Sequence, residues 1–182
     1  MNKISQLEEI AATIQSYGFE AQQIESIKLN EPIIVAIKND SRGKIMIFSE
    51  KYGMDCIASI SYAINNVGVY VSTFVVIEEM QQKGIGRLMW DLAMAHGDSL
   101  GKTCIYGEAN PTDPIYGVSG EEGVNFKQEQ EKIREIYGKL GCKLDGKNFI
   151  RTWRQGEILK SSNKDVISLI NKINKKEQPE KQ

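Results

Sequence analysis

Two glycines and two cations stand where an apolar segment gives way to a helical pattern. The sequence EEMQQKGIGR, residues 78–87, follows the apolar run VYVSTFVVI. The first N–H groups of a helix have no intrahelical partners and carry a partial positive charge. Gly84 and Gly86 let an anion approach such groups closely, while Lys83 and Arg87 flank them as mobile cations. The pattern predicts that this loop binds a pyrophosphate.

Two better-known phosphate loops do not match this segment. The dinucleotide-binding pattern requires a third glycine where this chain has Met89, and it follows the first strand of a parallel unit. A Walker A loop requires Gly-Lys-Ser or Gly-Lys-Thr, which the segment lacks. Two glycines also fit an ordinary tight turn between a strand and a helix, so the loop alone does not define a ligand.

The elements around the loop follow from hydrophobic periodicity. Apolar residues at helical spacing predict an N-terminal helix over residues 3–17. Four β-branched and aromatic runs follow with short turns between them, and they predict an antiparallel meander: IIVAIKN, KIMIFSE, CIASISYAI and VYVSTFVVI. The second half alternates, with a helix over 84–96, the strand TCIYGE, a helix over 127–140 and the strand NFIRTW.

This order of elements predicts an α/β fold of the α+β type, in which helices flank one mixed, mostly antiparallel sheet. We expect one domain over residues 1–154 that includes the N-terminal helix. Residues 155–182 are expected to form a C-terminal amphipathic helix, at 163–176, and a charged tail. That helix either clasps its own sheet or mediates a homodimer, and the sequence leaves both options open.

Composition narrows the class of protein. The chain has 182 residues, a net charge of -1 and 41% hydrophobic residues, which is ordinary for a soluble globular protein. Near-neutral charge argues against a nucleic-acid partner and against binding to an anionic membrane. The sequence has neither an apolar run of bilayer length nor a signal-peptide pattern. Three cysteines without metal-ligand spacing and a single histidine predict a reduced, cytoplasmic protein with no metal site.

Two motifs in a fixed order give the loop a more specific meaning. The pattern Gln81-x-x-Gly84-x-Gly86, at the end of the fourth strand, resembles the acetyl-CoA signature of the GNAT superfamily of N-acetyltransferases. The segment IYGKLGCKL resembles that family's Tyr-x-x-x-Gly-Phe segment, with Cys142 where phenylalanine is usual. The resemblance implies a sheet that is splayed between its fourth and fifth strands, where the pantetheine arm of acetyl-CoA inserts.

The resemblance covers roughly residues 30–154 and assigns roles by position. It implies that main-chain groups of the fourth strand, 69–77, bond the pantetheine arm and that the following loop takes the pyrophosphate. Asn110, at the end of the fifth strand, corresponds to a polar residue near the cofactor, although its spacing from Tyr137 is longer than usual. The cofactor-binding residues implied in this way are Phe74, Val75, Val76, Gln81, Gln82, Lys83, Gly84, Ile85, Gly86, Arg87 and Asn110.

The chemistry of acyl transfer makes sense of the remaining candidates. An amine must be neutral to attack a thioester, and deprotonating a lysine-like amine at neutral pH costs on the order of 4 kcal/mol. Glu108, at the end of the fifth strand, is the preferred general base, although a non-catalytic role fits it equally well; Glu78 and Glu79 are better interpreted as solvated turn residues. By resemblance, Tyr137 protonates the leaving thiolate. Its place on an apolar helical face also fits a core residue.

Three further side chains are interpreted as structural rather than catalytic. His96 lies on the apolar face of its helix, close to the C-terminus, where a cation is favoured. Cys104 and Cys142 are interpreted as small buried apolar groups. None of the three is needed for direct transfer of an acyl group from a thioester to an amine.

The sequence therefore predicts an acetyl-CoA-dependent N-acetyltransferase that acts on a primary amine of a small molecule, a peptide or a protein. The alternative is a non-catalytic module that binds acyl-CoA or a protein partner, since Gln81 and Gln82 stand where arginine is frequent in the family. An unusually long segment at 111–126 carries acidic and aromatic residues. It is interpreted either as a substrate lid or as a solvated surface excursion.

Overall fold

The computed structural model describes residues 5–26, 28, 30–39, 42–109 and 124–177 of the chain. Its helices are α1 (Gln6–Ser16), α2 (Ile85–Ser99), α3 (Val124–Lys139), α4 (Glu157–Ser161) and α5 (Lys164–Glu177), with a 3-10 turn at Glu78–Met80. Its strands are β1 (Glu20–Ser26), β2 (Glu31–Asn39), β3 (Gly43–Ser49), β4 (Ala58–Ile64), β5 (Val69–Val76), β6 (Cys104–Glu108), β7 (Lys143–Asp145) and β8 (Asn148–Thr152). Among the described residues, no helix is long and apolar enough to cross a membrane.

All eight described strands belong to one sheet, in the order β1-β2-β3-β4-β5-β6-β8-β7. Paired strands are antiparallel except β5 and β6, which are parallel. Strands β1 to β5 form a meander because antiparallel neighbours need only a short connection, whereas the parallel pair needs a crossover, which contains α2. The predicted mixed, mostly antiparallel sheet with flanking helices is confirmed.

Helices cover both faces of the meander. On one face, α1 buries Leu7, Ile10 and Ile14 in a cluster that includes Ile34 and Phe48 of the sheet. On the other face, alternate residues of β2 join the larger core around α2 and α5. Because successive side chains of a strand point to opposite faces, β2 is buried on both sides, which explains its continuous apolar sequence IIVAI.

Helix α2 is the central helix of the larger core. Every residue from Leu92 to Asp98 is buried, and the helix packs on β3, β4 and β5 as well as on α4 and α5. A Cβ placed at Gly97 would lie 2.3 Å from Cγ2 of Val69, so glycine there lets the helix approach β5 closely. The helix continues past the predicted end at residue 96 to Ser99.

Three elements were not predicted from the sequence. Strand β1 is an edge strand with the largely polar sequence EAQQIES, of which Ala21 and Ile24 are buried, so its hydrophobic alternation is weak. Strand β7 has three residues and exists because it pairs with β8 in a hairpin. Helix α4 is five residues long, which is too short for a periodic pattern. Each of these elements depends on tertiary contacts more than on local sequence.

The C-terminal helix α5 packs on its own sheet. Val166, Leu169, Ile170 and Ile173 are buried, and α5 contacts α2, β1 and β2. Gln22 of β1 donates a hydrogen bond of 3.1 Å from Nε2 to Asp165 Oδ1. These contacts agree with the interpretation of this helix as a clasp on its own sheet. The predicted domain boundary after residue 154 stays a prediction, as does the homodimer.

A buried carboxylate joins the end of α2 to α4. Asp98 Oδ1 accepts a hydrogen bond of 2.7 Å from the backbone N–H of Gly156, and its Oδ2 accepts one of 3.0 Å from the N–H of Leu159. The first N–H groups of a helix otherwise lack partners, so Asp98 caps α4 from a distant part of the chain. This contact connects the C-terminal segment to the core helix.

The single histidine is structural, and it is neutral. His96 is fully buried, and its Nδ1 lies 2.7 Å from the hydroxyl oxygen of Tyr62. Burial lowers the pKa of His96 to about 4. A helix C-terminus favours a cation by about 0.3–1 kcal/mol, whereas a shift of this size corresponds to roughly 3 kcal/mol, so desolvation outweighs the helix dipole.

The buried histidine predicts a loss of stability in mild acid. Unfolded chain binds a proton at His96 below about pH 6.5, whereas the folded protein resists protonation until about pH 4. The free energy of unfolding should therefore fall as the pH drops through this window, by up to roughly 3 kcal/mol. Urea unfolding at a series of pH values measures this, and His96→Gln removes the titrating group. Equal pH slopes for the wild type and the variant would contradict the assignment.

Candidate functional site

The sheet opens between β5 and β6. Their ladder has three residue pairs and ends where Val71 meets Gly107. Beyond that point β5 continues beside β4, and β6 continues beside β8. A Cβ at Gly107 would lie 2.9 Å from the carbonyl oxygen of Val71 and 2.6 Å from Cζ of Phe149, so glycine is required where the strands part. The strands that the sequence analysis counts as fourth and fifth are β5 and β6, because β1 was not predicted. The predicted splay between them is present.

A bulge in β5 lies directly after this last pair. The register with β4 changes between Ser61 and Tyr62, which face Thr73 and Val71, so Ser72 is the extra residue. Its hydroxyl donates a hydrogen bond of 3.1 Å to the carbonyl oxygen of Ser61. An extra residue bends the strand and increases its twist, which turns β5 away from β6.

A cleft of about 540 Å³ occupies the opening. It extends from the parting strands to the loop that begins α2, and α3 contributes one of its walls. The residues that line it are Lys28, Val71, Ser72, Thr73, Phe74, Val76, Met80, Gln81, Gln82, Gly84, Gly86, Arg87, Glu108, Ile133, Ile136, Tyr137, Lys139 and Leu140. The cleft is large enough for an elongated organic ligand, whose two ends would contact different groups of the protein.

At one end of the cleft, the glycine loop presents the N-terminus of α2. Gly84 is the N-cap residue and has a φ of +81°, a left-handed conformation that glycine adopts without strain. Because glycine has no side chain, the N-cap leaves the first N–H groups of α2 available to a ligand. A Cβ at Gly86 would lie 3.3 Å from Cζ of Phe74, so the second glycine lets the helix start close against β5.

The two arginines near this end hold the C-terminus of α3. Arg87 donates from Nη2 to the carbonyl oxygen of Lys139 at 3.1 Å, and Arg151 donates from Nη1 to the carbonyl oxygen of Leu140 at 2.9 Å. One guanidinium nitrogen of Arg87 is thus engaged in capping a helix, and the role of Arg87 as a cation for an anionic ligand stays a prediction. Burial raises the pKa of the neighbouring Asp91, and these arginines oppose that rise.

Helix α3 places a tyrosine in the wall of the cleft. Tyr137 is 5% exposed, and its ring stacks on Phe149 with centroids 3.7 Å apart and an interplanar angle of 13°. Its ring also lies 6.1 Å from Phe74 and 5.6 Å from Trp90. The sequence left open whether Tyr137 is a core residue or a catalytic one. The structure places it both in the aromatic cluster and in the cleft lining.

The glycine after α3 and the cysteine beside it end the helix. Gly141 has a φ of +89°, and Cys142 donates its backbone N–H to the carbonyl oxygen of Tyr137 at 3.0 Å. Burial raises the pKa of Cys142 to about 11, so its thiol is protonated at neutral pH. Cys142 is half-buried and Cys104 is buried, and both are free thiols.

Glu108 lies at the other end of the cleft, just beyond the point where the strands part. Its Oε2 is 3.6 Å from Nζ of Lys147, and both side chains are well exposed. Glu78 and Glu79 are exposed in the 3-10 turn and are not among the residues that line the cleft. Of the three candidate carboxylates, Glu108 alone is placed where it reaches a ligand in this cleft.

Most of the predicted cofactor-binding residues line the cleft, with four exceptions. Val75, Lys83 and Ile85 are described but do not line it, and Ile85 belongs to the core. Asn110 lies outside the described residues, as does most of the 111–126 segment and its lid hypothesis. Lys28 and Ser72 were missed. A bulge and a contact from a distant turn leave no local signal in a sequence.

The chain resembles known proteins in its fold but not in its sequence. A scan against protein-family models found no match, and neither did a sequence search of curated proteins. Among solved structures, a cAMP-binding acyltransferase from Mycobacterium smegmatis matches with a TM-score of 0.60 and 10% identity over 92% of this chain. The chain spans 58% of that protein's length.

Shorter matches include acetyltransferases. A protein assigned to the GNAT family from Desulfovibrio desulfuricans matches with a TM-score of 0.45 and 10% identity, over 62% of this chain and 69% of its own. An N-acetyltransferase from Thermoplasma acidophilum, solved with coenzyme A, has a TM-score of 0.45 and 15% identity, over 62% of each chain. The Mycobacterium smegmatis match shows that this chain shares the fold of that acyltransferase over most of its length.

A substitution in the glycine loop should weaken anion binding. Gly86→Asp would place a side chain within 3.3 Å of Phe74 and a negative charge beside the N–H groups of α2. We expect the affinity for coenzyme A, measured by calorimetric titration, to fall at least about tenfold. Gly86→Ala separates the effect of size from that of charge and should weaken binding less.

A matched control adds the same carboxylate elsewhere. Gly138 is exposed on α3 outside the cleft lining, and a Cβ there meets only Leu144 Cδ1 at 3.8 Å. Gly138→Asp should bind coenzyme A like the wild type. If Gly86→Asp also binds with wild-type affinity while remaining folded by circular dichroism, the loop is not the phosphate site.

Proposed function

We propose that this protein is an acyl-CoA-dependent N-acyltransferase, with acetyl as the acyl group. The observation that carries the proposal is the parting of β5 and β6 above a helix N-terminus that begins with two glycines. The parting leaves main-chain groups of β5 beyond Val71 without a strand partner on that side, among the described residues. An extended amide-containing arm is a natural partner for such an edge.

The two ends of the cleft fit the two ends of an acyl-CoA molecule. The first N–H groups of α2 and the glycines at 84 and 86 suit a pyrophosphate. The edge of β5 from Thr73 to Val76 suits the amides of the pantetheine arm, since unpaired strand groups bond an added strand. The reactive thioester would then lie near the opening of the strands, between Tyr137 and Glu108.

Residues at the opening supply the proton transfers of the reaction. When bound, the thioester supplies an activated acyl group; the amine nitrogen forms a bond to its carbonyl carbon, and the carbon–sulfur bond breaks. Glu108, exposed at the strand end, takes a proton from the acceptor ammonium, directly or through water, and the neutral amine then attacks. Tyr137 donates its hydroxyl proton to the departing sulfur. The carboxylate also favours a cationic acceptor.

A non-catalytic module that binds acyl-CoA is the competing function. Cys142 in place of phenylalanine and the neutral pair Gln81 and Gln82 leave room for it. Nε2 of Gln81 donates a hydrogen bond of 3.1 Å to the carbonyl oxygen of Val76, so part of its hydrogen-bonding capacity is used within the protein. The combination of Tyr137 and Glu108 in one cleft favours the enzyme. A cytoplasmic location remains a prediction from cysteine usage.

Steady-state turnover decides between the two functions. The purified protein is incubated with acetyl-CoA and a panel of primary amines: polyamines, amino sugars, peptide N-termini and lysine peptides. Release of free coenzyme A is followed with a thiol reagent, and the acetylated amine is identified by mass spectrometry. We expect amine-dependent release. Binding of acetyl-CoA without turnover of any amine would favour the module, and absence of binding would refute both.

Removal of the hydroxyl oxygen of Tyr137 tests its role as a general acid. Tyr137→Phe keeps the ring that stacks on Phe149 and removes the proton donor. We expect kcat to fall by about 10²-fold while the KM for acetyl-CoA changes less than about threefold, since general acid catalysis is lost and packing is retained.

The matched control is Tyr106→Phe. Tyr106 lies on β6 outside the cleft lining, and its hydroxyl accepts a hydrogen bond of 2.8 Å from Nδ2 of Asn65. The Tyr106→Phe variant should have a kcat within about twofold of that of the wild type. Equal kcat values for Tyr137→Phe and the wild type would assign Tyr137 to packing alone.

A further inference from the structure

The turn between β1 and β2 lies at the same end of the sheet as the glycine loop. The start of β2, near Ile33, pairs with Ser49 at the end of β3. Ala58 at the start of β4 in turn pairs with Val76 at the end of β5. Since Val76 leads into the 3-10 turn and the loop, the β1–β2 turn and the loop share one end of the sheet.

One lysine from that turn reaches the loop. A Cβ placed at Gly84 would lie 3.4 Å from Cδ and 4.0 Å from Cε of Lys28. The side chain of Lys28 therefore runs along the residue that caps α2, and Lys28 lines the cleft while remaining solvent-exposed. An exposed ammonium group on a flexible stem beside a helix N-terminus is well placed to meet an anion there.

The two cations that the sequence predicts for the loop differ from Lys28 in their position or in their hydrogen bonds. Lys83 is exposed but does not line the cleft, and Arg87 lines it with one guanidinium nitrogen, Nη2, bonded to the end of α3. Lys139 lines the cleft from the end of α3, and its carbonyl oxygen is the acceptor for Arg87. Of the lysines that line the described cleft, Lys28 is the one in contact with the glycine loop.

We propose that Lys28 completes the pyrophosphate site of the cleft from the β1–β2 turn. The backbone N–H groups of α2 supply directed hydrogen bonds but little net charge, and Lys28 supplies a full positive charge beside Gly84. The ligand class is a nucleoside diphosphate moiety within an acyl carrier. The proposal rests on the function proposed above and adds a residue that the glycine motif does not contain.

The experiment titrates three ligands into the folded protein by calorimetry: coenzyme A, 3′-dephospho-coenzyme A and pantetheine, which has no phosphate. The variants are Lys28→Gln and, as a charge-matched control, Lys160→Gln on the exposed surface of α4. We expect Lys28→Gln to weaken binding of both nucleotide ligands equally, by about five- to tenfold, and to leave pantetheine unchanged. The deficit should shrink at high salt because an exposed charge is screened. Lys160→Gln should match the wild type with all three ligands.

Each other outcome overturns a defined part of the argument. A deficit with coenzyme A that disappears with 3′-dephospho-coenzyme A would overturn the pyrophosphate assignment and place Lys28 at the 3′-phosphate. Equal binding by Lys28→Gln and the wild type would overturn any role for Lys28 while leaving the proposed function intact. Failure of the wild type to bind either nucleotide ligand would overturn the proposed function, and this inference with it.

Discussion

The parting of two parallel strands is the constraint on which the rest of the structure depends. Backbone groups that leave a ladder need new partners. Strand β6 finds them in β8, while β5 keeps β4 on one side and opens on the other. The bulge at Ser72 and the missing Cβ at Gly107 make this geometry available at the third residue pair. Without the parting there would be no cleft and no free strand edge beside the glycine loop.

Helix α2 connects the opening to the core. Its N-terminus forms one end of the cleft, and its buried middle and C-terminal turns pack on three strands of the meander. At the far end, Asp98 caps α4 and His96 meets Tyr62 in a fully buried pair. Contacts far from the cleft therefore hold the helix in place, which would preorganise the proposed anion site at its N-terminus.

On α3, a side chain that packs in the aromatic cluster also lies in the wall of the cleft. Tyr137 is part of an aromatic cluster with Phe149, Phe74 and Trp90, and its hydroxyl belongs to a residue in the cleft wall. Arg87 and the arginine at position 151 hold the carbonyl groups at the end of α3, so the helix that carries the tyrosine is tied to α2 and β8. Truncating any of these side chains would change the geometry of the cleft, so only an isosteric change can separate the packing role of Tyr137 from its proposed catalytic role.

Hydrophobic periodicity and glycine spacing were sufficient to predict the meander, the order of the later helices and strands, and the loop at the start of α2. These features depend on contacts between residues close in sequence. The edge strand β1, the hairpin strand β7 and the short helix α4 depend on partners elsewhere in the chain, so their local patterns were too weak. The residues of the site also fall into two groups, those that the local sequence predicts and those that depend on distant contacts. The glycines at 84 and 86 could be identified from the sequence because the backbone at the tight start of the helix requires glycine there. The capping role of Arg87, the neutral state of His96 and the approach of Lys28 were decided only by the tertiary structure, because burial, charge and reach depend on which distant groups the fold brings together.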